Sequence, residues 1–105
     1  MNHLAYNYHI LYPHPCLDFA FTLITTHPNP EKPAEAYKLA RVLDASLAAI
    51  ASNTTLNYME LIADCNAFKH DATQRICSGE FSPLECAIVG FAVGHLSTLI
   101  HLHPA

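Results

Sequence analysis

A chain of 105 residues has room for one domain with a modest core. Charged residues are 13% of it, where an ordinary soluble domain carries roughly 25%, so its surface is weakly defended against association. The net charge is −4, and the five basic residues (Lys32, Lys38, Arg41, Lys69 and Arg75) are scattered. No cationic stripe can be assembled to replace phosphate counterions, which excludes nucleic acid and an anionic membrane surface as partners.

The chain opens on a partly alternating stretch, with Leu4, Tyr6, Tyr8, Ile10 and Tyr12 on one side and Asn7 and His9, together with Ala5 and Leu11, on the other. That period of two predicts an extended N-terminal arm or short strand over residues 1–14, ended by Pro13-His14-Pro15. From 15 to 105 the pattern predicts a small all-α bundle, giving about four to five helices in one domain. Residues 16–26 fit two periods: Leu17, Phe21 and Ile24 are spaced for a helix, and Phe19, Phe21 and Leu23 for a strand. Pro15 at a favoured first helical position tips the choice to helix.

Pro28, Pro30 and Pro33 mark a loop. Pro33 then opens a helix with Glu35 in its first turn, where the helix dipole favours an anion. Ala36, Leu39, Ala40, Leu43, Leu47 and Ile50 form its apolar face, with Lys38, Arg41 and Asp44 away from it. Ser52-Asn53-Thr54-Thr55 reads as a break and a cap for a third helix to about Lys69, buried through Tyr58, Leu61, Ile62, Cys65 and Phe68. Asp71-Ala72-Thr73-Gln74 resembles a new capping box, predicting a short fourth helix that stops at Gly79. Ser82-Pro83-Leu84-Glu85 is the strongest start signal, with Phe81 and Cys86 placed as a hydrophobic staple. Its helix should run from Pro83 to about Leu102.

At about 100° per residue this last helix divides into three stripes. Leu84, Ile88, Phe91, Leu99 and Leu102, with His95 among them, are large and apolar. Val89, Val93, Leu96 and Ile100 form a second stripe. Ala87, Gly90, Gly94 and Ser97 form a third, of small residues. Length and the Gly-x-x-x-Gly spacing also suit a membrane span. Glu85, His95, Ser97, Thr98 and His101 interrupt it, however, and no Lys or Arg flanks it. The expectation is a central bundle helix with two stripes buried and the small one left for self-association.

Eight histidines are the compositional oddity. His95, His101 and His103 are candidate metal ligands, yet no pair has a recognisable ligand spacing, so no metal or other cofactor is expected. Four cysteines lack a C-x-x-C pair; Cys65 and Cys86 sit at apolar helical positions, while Cys16 and Cys77 look more reachable. Glu60 and Asp64, one turn apart, suit a solvated face better than acid–base work. No nucleophile elbow, phosphate loop or zinc-protease motif is present, so no enzyme is expected. The first residues lack a signal-peptide pattern, which points to the cytoplasm and free thiols.

What is left is binding. The aromatic arm (Tyr6, Tyr8, Tyr12), which either packs over its own bundle or captures a partner, and the small stripe (Ala87, Gly90, Gly94, Ser97) are the expected partner or dimer surfaces. In plan alone, with no motif residue carrying it, the chain resembles small bacterial or phage regulators that sequester a partner, such as antiactivators of transcription factors. That resemblance implies a homodimer inhibiting a further protein. A His/Cys metal-binding protein and a small thiol- or His-dependent enzyme are the alternatives.

Overall fold

In a computed structural model that describes residues 2–103, the chain forms five helices: α1 (His3–Leu11), α2 (Pro15–Thr26), α3 (Pro33–Ser52), α4 (Tyr58–Cys77) and α5 (Pro83–Leu102). The all-α expectation holds, and no strand occurs among the described residues. Helix α5 touches all four others, α3 most extensively. The molecule is flat, 44 × 29 × 17 Å, so it is less than two full helix diameters thick.

The expected extended arm is instead helix α1. Its alternation is real, but a strand needs an edge to pair with, and this bundle offers none. Leu4, Ala5 and Tyr8 turn into the core, whereas Tyr6 and Ile10, expected on the same side as Tyr8, face solvent at 57% exposure each. Asn2 fixes the start twice over. Its Oδ1 accepts from the Ala5 amide at 2.6 Å, and its Nδ2 donates to the Ala51 and Asn53 carbonyls at the end of α3. Residues 2–14 therefore do not stand apart from the bundle, since α1 contributes to the same core as the rest.

Segment 15–26 is helical, with Cys16, Ala20 and Ile24 buried at helical spacing. In α3 the buried face is Ala36, Ala40, Leu43, Leu47 and Ala51, near the predicted one, with Leu39 and Ile50 on its flanks. The Ser52–Thr55 run breaks the helix as expected, with Asn53 at the C-cap of α3, but it does not cap α4. Asn53 Oδ1 accepts from the Thr55 amide and hydroxyl, a side-chain turn. The cap of α4 is Asn57, in a reciprocal box with Glu60. Nor does α4 break at Asp71. Ala72 is buried one turn beyond Phe68 and in line with Leu61 and Cys65, and the Thr73 hydroxyl donates back to the Lys69 carbonyl. Continued packing overrode a capping pattern that needs a chain break to act. The helix stops where expected, with Gly79 at φ +79°.

Ser82 caps α5 as predicted. Its Oγ accepts from the Glu85 amide at 3.2 Å, and the Glu85 carboxylate accepts from the Ser82 amide at 3.0 Å. Cys86 lies against Phe81, with its Sγ 3.8 Å from the Phe81 carbonyl oxygen. Ser82→Ala should therefore lower stability by about 1 kcal/mol, read as a shifted urea midpoint at unchanged slope. No shift would mean that water replaces the cap at no cost.

Candidate functional site

Helix α5 buries Ile88, Val89, Ala92, His95, Leu96 and Leu99. Ala87, Gly90, Gly94 and Ser97 are all exposed, forming one continuous line of small residues on the outer side. A methyl group built at Gly90 or Gly94 would meet nothing within 4 Å. Within the chain, then, neither glycine is there to admit a neighbouring backbone. Beyond this line, α2 and α4 lie against α5 without touching each other. By length and mean hydropathy (1.5) α5 is the one helix among the described residues that passes for a membrane span. A core helix of a water-soluble bundle passes the same test.

The aromatic residues of the first helix part company. Tyr6 is exposed, Tyr12 is half-buried and Tyr8 is only 3% exposed, so Tyr8 serves the core and offers nothing to a partner. It joins an interior cluster that the sequence did not signal. The rings of Tyr8, Tyr12 and Phe91 surround His95, with centroids 5.7, 4.9 and 5.6 Å away, and Phe19 stacks on Phe91 at 4.4 Å. The Tyr8 hydroxyl and His95 Nε2 are buried and find no hydrogen-bond partner among the described residues. Burial, helped by Cys16 and Asp44, pushes the Tyr8 phenol upward.

Asp44, expected away from the buried face, is the polar anchor of this region. Its two carboxylate oxygens accept from the Cys16 and Leu17 amides at 2.8 and 3.0 Å. The residue at the N-cap of α2, His14, makes no side-chain cap, so a carboxylate from α3 supplies what the local sequence lacks. That missing cap beside Pro15 was the available signal. Cys16, expected to be reachable, is 0% exposed; burial and the adjacent Asp44 carboxylate push its thiol well up. The thiol-enzyme alternative is left with Cys77, which is exposed.

The metal candidates do not converge. His95 is enclosed by aromatic rings, His101 is exposed, and His103 packs edge-on against Tyr58 at 5.7 Å. No group of three potential ligands occurs among the described residues. No family model matches the chain, and no curated protein or solved structure shows significant similarity to it.

Two predictions follow from the interior. Asp44→Ala leaves two helix-terminal amides without their charged acceptor and should cost about 2 kcal/mol, against far less for an exposed control such as Asp18→Ala. Equal costs would show that Asp44 does not carry the start of α2. Burial also lowers the pKa of His95 from its ordinary 6.5, against a weaker opposing pull from Asp44. The unfolded ring takes up a proton near 6.5 and the folded ring resists it. The stability that His95 contributes is thus complete above that value and declines as pH falls below it. His95→Phe suits the aromatic surroundings and should flatten the decline in urea midpoint between about pH 7 and about pH 5. A variant as pH-sensitive as the parent would place the titration elsewhere.

Proposed function

We propose that this chain is a non-enzymatic regulatory binding module of the cytoplasm, which pairs with a second copy through the small-residue face of α5 and holds a further protein on its apolar surfaces. One observation carries the reading: the most apolar helix of the chain turns its two adjacent glycine turns to the outside. In an exposed helix interior each glycine costs roughly 0.5–1 kcal/mol relative to alanine. The isolated bundle recovers none of this, because no neighbouring group approaches either residue. A second α5 crossing there would recover it, since bare Cα atoms let two helix backbones come into close contact.

Other features support association. The surface is short of charge, and Tyr6, Ile10, Leu11, Phe21, Val42, Tyr58 and Met59 are each about half exposed or more. Burial of such side chains, at roughly 25 cal/mol per Å² of apolar area, is the ordinary source of binding energy between proteins. The absence of a cationic stripe keeps nucleic acid outside the proposal.

Gly90→Leu gives a clean test, because the position is exposed and a Cβ built there meets nothing within 4 Å. The parent should sediment as a dimer and the variant as a monomer with the same helical circular dichroism. Were the face simply wet, the variant would melt higher, by virtue of its better helix propensity, at unchanged mass. That outcome, or a parent that needs detergent to stay dispersed, would overturn the reading.

A further inference from the structure

A second surface, on a different side of α5 from Gly90 and Gly94, is an open groove between α3 and α4. Its wide part has a volume of about 310 Å³, with Leu39, Val42 and Phe81 among its walls. A narrower part of about 90 Å³ reaches Leu43, Phe68, Ala72 and Val89. The two parts are neighbours, with Leu39, Val42, Arg75 and Phe81 in the walls of both. Val42 is an apolar side chain left 53% exposed in it. Along α3 the groove runs from Glu35 to Ser46, a length of about three helical turns.

The rim has a definite electrical character. Arg75 is already committed, as its Nε and Nη2 donate to the Glu80 carboxylate at 3.1 and 3.2 Å. Its guanidinium also lies 4.8 Å from the centroid of the Phe81 ring. Taken together, the rim carries the carboxylates of Glu35, Asp71, Glu80 and Glu85, the last also accepting from the Ser82 amide, against the two cations of Lys38 and Arg75. An apolar floor under a predominantly anionic rim favours apolar side chains flanked by cations. A second copy is a poor candidate, because this chain is itself acidic and carries only five Lys and Arg.

We propose that the α3–α4 groove docks an amphipathic helical segment of a different protein, with apolar side chains along one face and Lys or Arg beside them. Such a helix lays side chains at i, i+4 and i+7 along the floor, while its cations meet the rim. This names the partner chemistry for the binding role proposed above and rests on that role. It does not rest on self-pairing through α5.

The test uses the whole chain and two synthetic helical peptides of about four turns, alike in their leucine positions but bearing lysine on the polar face of one and glutamate on that of the other. Fluorescence anisotropy should show the lysine peptide binding at least roughly tenfold tighter than the glutamate peptide, with the difference shrinking as salt is raised. Val42→Asn, which removes an apolar contact without adding charge, should weaken the lysine peptide by roughly tenfold. Phe21→Asn, an exposed apolar site on α2, should leave it unchanged, and so should Gly90→Leu. Equal binding of both peptides, no binding of either, or equal loss with Val42→Asn and Phe21→Asn would each overturn the proposal. A change in oligomeric mass with Val42→Asn would assign the groove to a second copy instead. Loss of self-pairing in Gly90→Leu with peptide binding intact would separate the two surfaces.

Discussion

Helix α5 cannot stand in water, and the arrangement of the other four helices follows from that constraint. Its buried residues span two of its three stripes, and each remaining helix covers part of them. A helix that is apolar on most sides must be enclosed on most sides. Each covering helix buries one face against the core and leaves the other to solvent. The result is a thin assembly, 17 Å in its shortest dimension, in which α5 is buried at Ile88, Val89, Ala92, His95, Leu96 and Leu99, half-buried at Leu84, Phe91, Val93, Ile100 and Leu102, and exposed along the line of Ala87, Gly90, Gly94 and Ser97. The same requirement accounts for α1. A short helix with Leu4, Ala5 and Tyr8 on one face closes part of α5 and α3 that would otherwise be wet.

Polar contacts then determine how the pieces register. Asp44 reaches from α3 to the start of α2, and Asn2 reaches from the start of α1 to the end of α3. Each satisfies helix-terminal groups that have no partner within their own helix. Between these anchors lies the aromatic cage of His95, where a neutral ring packs well and a charged one does not. Because Tyr8 and Tyr12 of α1 pack against this ring, protonating it would oppose the seating of α1 without any evolved sensor being required. It also withdraws His95 and Tyr8 from surface chemistry, since both are held inside.

The outer surface presents two chemistries on separate faces. The α5 line is small and uncharged, suited to close approach of another helix. The α3–α4 groove is apolar with an anionic rim, suited to a cationic amphipathic segment. A protein that pairs on one face and captures a segment on the other would present two grooves per pair, and such bivalency strengthens binding to a paired partner without any new contact.

The sequence by itself determined the helices that carry their own signals. Ser82, Pro83 and Glu85 start α5 because capping is local chemistry, complete within four residues. The spacing of Ala36, Ala40, Leu43 and Leu47 defines α3 for the same reason, as periodicity is a property of one segment. The exposed position of the small stripe could be anticipated, because a bundle of this size encloses only part of such a helix. What only the tertiary structure decided is whatever depends on a neighbour. Residues 3–11 alternate like a strand yet coil, for want of an edge with which to pair. Asp71 to Gln74 look like a start yet continue a helix, because Ala72 finds a buried place. Asp44 looks solvated yet anchors α2, and the groove beside Val42 exists only because α3 and α4 both lean on α5. Contacts between distant segments leave no mark on the local pattern of either one, and those contacts set both the cage around His95 and the groove along α3.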